Sequence, residues 1–280
     1  MAEETLLIVG NGFDLSMGFK TSYGDFLRSS VFPKYDSTLC SYLRKQFQEN
    51  MGWIDIENEL SEFSNVISSM KQDAKKKHAK WEYDNFRKEY DDLKSSLKKY
   101  LQEETKGQFI LKKDNPAVSV IDHLPAGSKI ISFNYTSIIE RMTRDRFGVS
   151  KGNLLHIHGS LAPYDDIVFG VEDSAKLSKE HVFLYKAHSQ SLKAREFSYW
   201  LNSAERIIFY GYSLGDTDRQ YFEKFFQKLC SENSSNVDLD FYYYGQSSYD
   251  NLIWQLQMLT NHKLTQLLTY NHIEFIDCSM

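Results

Sequence analysis

The chain has 280 residues, 41% of them hydrophobic, with 33 Lys and Arg against 38 Asp and Glu for a formal charge of −5. That suffices for a substantial core in one large domain or two small ones, and the charge balance argues against wholesale nucleic-acid binding while leaving room for a local basic groove. Three scattered cysteines, Cys40, Cys230 and Cys278, make no C-x-x-C pair, which argues against a disulfide framework or thiolate zinc site and fits a reducing cytoplasm. In chain order, Glu3 and Glu4 precede a short apolar run and no stretch reaches membrane-spanning length, so neither secretion nor membrane insertion is expected. Strands are predicted at Leu6–Val9, Lys129–Phe133, Leu154–Ile157, Ile167–Phe169, Arg206–Tyr210, Leu239–Tyr244 and Ile273–Ile276, several alternating with helix-length segments. This rhythm predicts an α/β, Rossmann-like, mostly parallel sheet flanked by helices. It stops between Tyr35 and Thr105, where charged helical periodicity carries Trp53, Ile54, Leu60 and Phe63, then Trp81, Phe86, Tyr90, Leu93, Leu97 and Leu101. We therefore expect residues 1–34 and 120–280 to form the core and 35–119 a helical insertion packed on it. Lys75-Lys76-Lys77 inside the insertion reads as a solvated face or a contact for an acidic partner or nucleic acid, and Gly107–Gly127 as the return path to the sheet.

Four constellations sit at strand ends. The first strand runs into Gly10-Asn11-Gly12-Phe13-Asp14, which either lets backbone N–H groups approach a nucleotide phosphate or simply makes a tight strand-to-helix turn. Asn134-Tyr135-Thr136 follows the next predicted strand, placing an amide at a ligand crevice or serving as turn and helix cap. By strand alternation His156 and His158 share one face, and Gly159 would let a ligand approach the imidazole. A general base is preferred to a metal site there, since no third ligand follows at an obvious spacing. Gly211-Tyr212-Ser213-Leu214-Gly215 fits the G-x-S-x-G nucleophile elbow of a serine hydrolase, with an acid from Asp238, Asp240 or Asp250, a base from His262 or His272 and His158-Gly159 as oxyanion loop. It reads equally as a second nucleotide loop in which Gly211 allows close approach, Ser213 meets a phosphate or ribose and Asp216 caps the following helix. The elbow leaves Gly10–Asp14 and Asn134 without a role, which favours the nucleotide branch.

Together these residues resemble the AbiH-like abortive phage infection family, whose members look like divergent relatives of the sirtuin-type NAD-binding fold. The resemblance rests on Leu7-Ile8-Val9-Gly10-Asn11-Gly12-Phe13-Asp14-Leu15 continuing through Gly18, Thr21-Ser22-Tyr23 and Phe26, and on Trp53-Ile54-Asp55-Ile56-Glu57. Asn134-Tyr135, His158-Gly159 and Gly211-Tyr212-Ser213-Leu214 through Asp216 stand where sirtuin-like domains carry their catalytic asparagine, catalytic histidine and later nucleotide loop. Phe13-Asp14 and Thr136 depart from the usual sirtuin-like pattern, and the cysteine pairs of a deacylase zinc module are absent. The resemblance thus implies antiviral defence and hydrolysis of NAD itself, with a nucleotide as the small-molecule ligand, no metal, and a second copy or a partner defence protein as candidate protein partners.

Breaking the nicotinamide–ribose bond builds an oxocarbenium-like charge on the sugar, as in glycoside hydrolysis. Such a site needs a held sugar and an activated nucleophile. Asn134 would orient water or a ribose hydroxyl and His158 would take the proton, while Gly10, Asn11, Gly12 and Phe13 hold the pyrophosphate. Asp14 either caps the following helix, contacts the ribose or stabilises the developing cation. Tyr135, Gly159, Gly211, Ser213 and Asp216 complete the expected binding set. Two other readings remain open: a serine hydrolase built on Ser213, and a nucleotide-binding regulatory module without catalysis.

Overall fold

Six parallel strands hydrogen-bond in the order β3-β2-β1-β4-β5-β6 in the computed structural model, which describes residues 4–33, 37–73, 79–107, 114–147, 152–189, 193–232 and 236–279. They are β1 (Thr5–Val9), β2 (Lys129–Ser132), β3 (Leu154–His156), β4 (Arg206–Tyr210), β5 (Asp238–Tyr243) and β6 (His272–Asp277). The order reverses at β1, where Val9 lies beside Ser132 of β2 and Tyr210 of β4. In open α/β sheets such a switch point puts the ligand crevice at the carboxyl ends of the strands. The fold is α/β and Rossmann-like.

Apolar runs without alternation follow from burial on both faces. Ile8, Ile131, Leu155, Ile207, Phe209, Leu239 and Phe241 pack on one side with α8 (Ala194–Ser203), α9 (Arg219–Leu229), α10 (Gly245–Leu259) and α11 (Leu264–Tyr270). Leu7, Val9, Ile130, Ile208 and Tyr210, one residue out of step, pack on the other with α1 (Asn11–Ser16), α6 (Pro116–His123) and α7 (Ile138–Phe147). Among the described residues no helix is long and apolar enough to cross a membrane.

Contacts divide the chain into a sheet unit, comprising the described residues of Met1–Phe19, Gln108–Asp165 and Lys193–Met280, and a helical unit, those of Lys20–Gly107 and Asp166–Leu192. Residues 20–33 and 166–189 thus group with the helices, while 114–119 group with the sheet. The helical unit holds α2 (Tyr23–Arg28), α3 (Thr38–Glu49), α4 (Ile56–Asp73) and α5 (Ala79–Glu104). Its core explains the grouping: Phe26 packs on Phe32 and Tyr100, and Phe86 meets Phe63, His181 and Phe183 edge-on. Ile167–Phe169, expected as a strand, joins no strand. Tyr90 stacks on Phe169 and its hydroxyl donates to the Phe169 carbonyl at 2.5 Å, so this run is apolar because it fills the helical unit's core. Lys186, 1% exposed, lies 3.2 Å from Glu57 and 3.8 Å from Glu172, the pairing a buried ammonium requires. Lys75-Lys76-Lys77 lies outside the described residues, as do residues 108–113 of the return path.

Candidate functional site

Gly10 ends β1 and stands at the N-cap of α1, and the loop there closes on main chain. Gly10 N–H donates to the Tyr210 carbonyl at 3.1 Å, Gly12 N–H to the Gly211 carbonyl at 2.9 Å and Phe13 N–H to the Gly10 carbonyl at 3.0 Å. Three of the N–H groups expected to meet a pyrophosphate therefore already have acceptors. The glycines are needed by one another. A Cβ on Gly12 would lie 2.6 Å from the Gly211 Cα, one on Gly211 would lie 2.5 Å from Phe13 N, and Gly211 has φ +58°. Backbone rests on backbone, and only glycine permits it. Asn11 is exposed at the start of α1, while Phe13 is fully buried and meets Tyr210 edge-on as part of the core.

Asp14 sits inside α1 rather than capping it, with only 1% of its surface exposed. Its Oδ1 accepts from Asn134 Nδ2 at 2.9 Å and its Oδ2 from Thr136 Oγ1 at 2.5 Å. The same Asn134 Nδ2 also donates to the Gly10 carbonyl at 2.9 Å. Both amide hydrogens of Asn134 thus hold the β1–α1 loop, leaving its carbonyl oxygen for a ligand. Burial pushes the Asp14 carboxyl up to about 7, against the lowering pull of the Thr136 and Asn134 bonds and of nearby His156.

The two imidazoles do not share a face. β3 ends at His156, whose Nδ1 lies 3.0 Å from the main-chain carbonyl oxygen of Asn134 and Nε2 3.3 Å from Glu140 on α7. Hydrogen bonding to His156 holds the Glu140 carboxyl below its ordinary range. After His156 the chain turns through Gly159, at φ +66°, so alternation no longer applies. His158 faces Phe133 edge-on at 5.3 Å, among the side chains of the opposite face, and its Nε2 lies 3.0 Å from Asp218 Oδ1. Asp218 Oδ2 accepts from the Tyr212 hydroxyl at 3.1 Å, and the Tyr212 ring stacks on Phe133 at 4.3 Å. Asp218, not Asp216, is the N-cap residue of α9; Asp216 opens a short 3-10 turn and is exposed. Tyr135, half-buried, accepts Leu161 N–H on its carbonyl.

Where β4 and β5 end, a cavity of about 730 Å³ opens between the tips of α1 and α6 and the first turns of α10. Phe209, Tyr210, Tyr212, Phe241, Tyr242, Tyr243, Tyr244 and Leu252 line it, with Gly12, Gly211, Ser213, Ser248, Asn115 and Cys278. Among the described lining residues none is Lys, Arg or His, and Asp114 supplies the carboxylate. Tyr210 and Tyr242 stack at 5.5 Å, and burial pushes both hydroxyls above their ordinary range. The volume and aromatic lining suit a planar organic ligand. Of the residues expected to bind, the cavity gathers Gly12, Gly211 and Ser213. Gly10, Asp14 and Asn134 form the buried cluster beside it, and His158 forms its own pair.

The serine-hydrolase constellation does not assemble. His272 pairs with Asp238 at 3.7 Å at the first residues of β6 and β5, the end of the sheet opposite Ser213. His262 meets Gln257, Asp240 binds Arg206 twice and Asp250 binds Gln246. The left-handed residues of the turn are Gly211 and Leu214, whereas an elbow strains the nucleophile.

Asp218 and the tyrosines of β5 were not anticipated. Counting back one helical turn from Phe222 would have placed the start of α9 at Asp218 rather than Asp216. The family model described as bacteriophage abortive infection AbiH matches residues 6–242, from β1 through most of β5. No curated protein matches the chain.

Proposed function

This chain belongs to the AbiH family of bacteriophage abortive infection proteins, and from that premise we propose that it is a defence effector that binds NAD and hydrolyses the nicotinamide–ribose bond. The observation that carries the reading is the aromatic cavity at the carboxyl ends of β4 and β5, walled by both glycine loops and Ser213. An aromatic-lined pocket suits the adenine–ribose half of a dinucleotide, base against tyrosine and hydroxyl against Ser213 or Ser248. The reacting half would then extend toward the β2 and β3 ends, where Asn134 and His158 stand.

The chemistry asks for little. The leaving ring is already a pyridinium, so it departs as neutral nicotinamide, taking the electron pair of the broken C1′–N bond and needing no acid. Water bonds to C1′ and loses its proton to His158, while the Asn134 carbonyl oxygen orients the water or a ribose hydroxyl. Such an activity must be restrained before infection, which gives a second copy or a partner protein a place in the reading.

The test is release of free nicotinamide from NAD by the purified protein. His158→Ala is expected to lower that release by about 10²–10⁴-fold, the usual contribution of general acid–base catalysis. No release by the wild type, together with no rise in its melting temperature on adding NAD, would overturn the proposal.

A further inference from the structure

We infer that Asp218 and Tyr212 are positioning residues for His158: they fix its ring with Nε2 toward Asp218, present Nδ1 as the working nitrogen, and tie the ring to the cavity wall. The inference takes its substrate from the proposed NAD reaction but rests on geometry of its own. An aspartate at a helix N-cap ordinarily accepts N–H groups of the first turn. Asp218 makes no such bond. Its carboxylate instead lies 3.0 Å from His158 Nε2 on one oxygen, an ion-pair approach outside hydrogen-bond alignment, and accepts the Tyr212 hydroxyl at 3.1 Å on the other. His158 is 4% exposed and Asp218 8%, so this is no water-screened surface pair.

A carboxylate offers only acceptors, so a neutral His158 meets it with the proton on Nε2, and the lone pair on Nδ1 is the one left to take a proton from water. Rings lock the arrangement. Phe133 stands perpendicular to His158 and stacks on Tyr212, and Tyr212 covers Gly10 so closely that a Cβ there would lie 2.7 Å from its ring. Tyr212 also lines the cavity, so one side chain both contacts a bound ligand and holds the carboxylate that holds the base. Base, orienting carboxylate and a third group behind it repeat the logic by which enzymes fix a histidine.

The full-length protein with ¹⁵N-labelled histidine provides a readout independent of turnover. In the wild type, neutral His158 should carry its proton on Nε2 and exchange it slowly with water. In Asp218→Asn, the Tyr212 hydroxyl still donates to the side-chain carbonyl, which turns the amide toward Nε2 and moves the proton to Nδ1. Tyr212→Phe should keep the proton on Nε2 and speed its exchange. With NAD, Asp218→Asn should lower kcat about 100-fold or more with KM little changed, since a wrongly oriented base still binds substrate. The same protonated nitrogen and exchange rate in wild type and Asp218→Asn would overturn the inference. Should Asp218→Asn fail to fold, Tyr212→Phe decides, and exchange no faster than wild type overturns it. Ring signals that move as expected while the wild type releases no nicotinamide would remove NAD as substrate and leave the positioning role standing.

Discussion

The β1–α1 and β4–α9 loops both leave the carboxyl edge of the sheet through glycine, and they use their polar groups in opposite ways. In the first, Asp14 is consumed by Asn134 and Thr136, and the N–H groups of Gly10 and Gly12 bind the Tyr210 and Gly211 carbonyls. In the second, Ser213 is exposed on the cavity wall and Tyr212 lines that wall while holding Asp218 against His158. The same sequence signal, glycine and a polar residue after an apolar strand, thus marks a structural knot in one place and a cavity-facing surface in the other. What separates them is whether a second loop arrives to satisfy the polar groups.

The contrast can be broken most sharply at Gly211. Gly211→Ala is expected to cost up to about 5 kcal/mol, about 1–2 from a Cβ at a left-handed φ and about 1–3 from overpacking against backbone. Urea denaturation measures it, and an unchanged midpoint would mean that the loops do not touch. Gly12→Ala, without the left-handed penalty, should show the steric part alone.

Next in size is the proton on Asp14. Its carboxyl titrates near 7 in the folded protein because of burial and near 3.9 when unfolded, so between these values the native state binds the proton more tightly. The stability this group contributes is fully present below about pH 4 and is lost as pH rises through about 7. Relative to Asp14→Asn, the wild type should therefore lose about 4 kcal/mol between pH 4 and pH 8. Urea midpoints for both proteins across that range check it, and parallel curves would place Asp14 in water.

The smallest effect belongs to Ser213. Ser213→Ala should change stability by less than about 0.5 kcal/mol, as for an exposed side chain, and reduce NAD cleavage far less than His158→Ala does. Abolished turnover together with fluorophosphonate labelling of Ser213 would turn the open loop into a nucleophile elbow.

The sheet was legible because strands buried on both faces must be apolar throughout, as Leu6–Val9 and Arg206–Tyr210 are. Ile167–Phe169 misled for the same reason: an apolar run is the same string whether strands or helices bury it. The special status of Gly10, Gly12 and Gly211 could be read, but not its cause, because the contact joins loops distant in the chain. His156 and His158 were separated by a turn that alternation does not foresee, and the tyrosine cavity arises only when the strand order brings the ends of β4 and β5 against α10.

Where Gly12 and Gly211 meet, the seam contains no side chain and so no rotamer to absorb displacement. Two loops in such contact translate together. The cavity wall and the buried carboxylate are thus joined by main-chain contact from Gly211 to Gly12 and by α1 from Gly12 to Asp14.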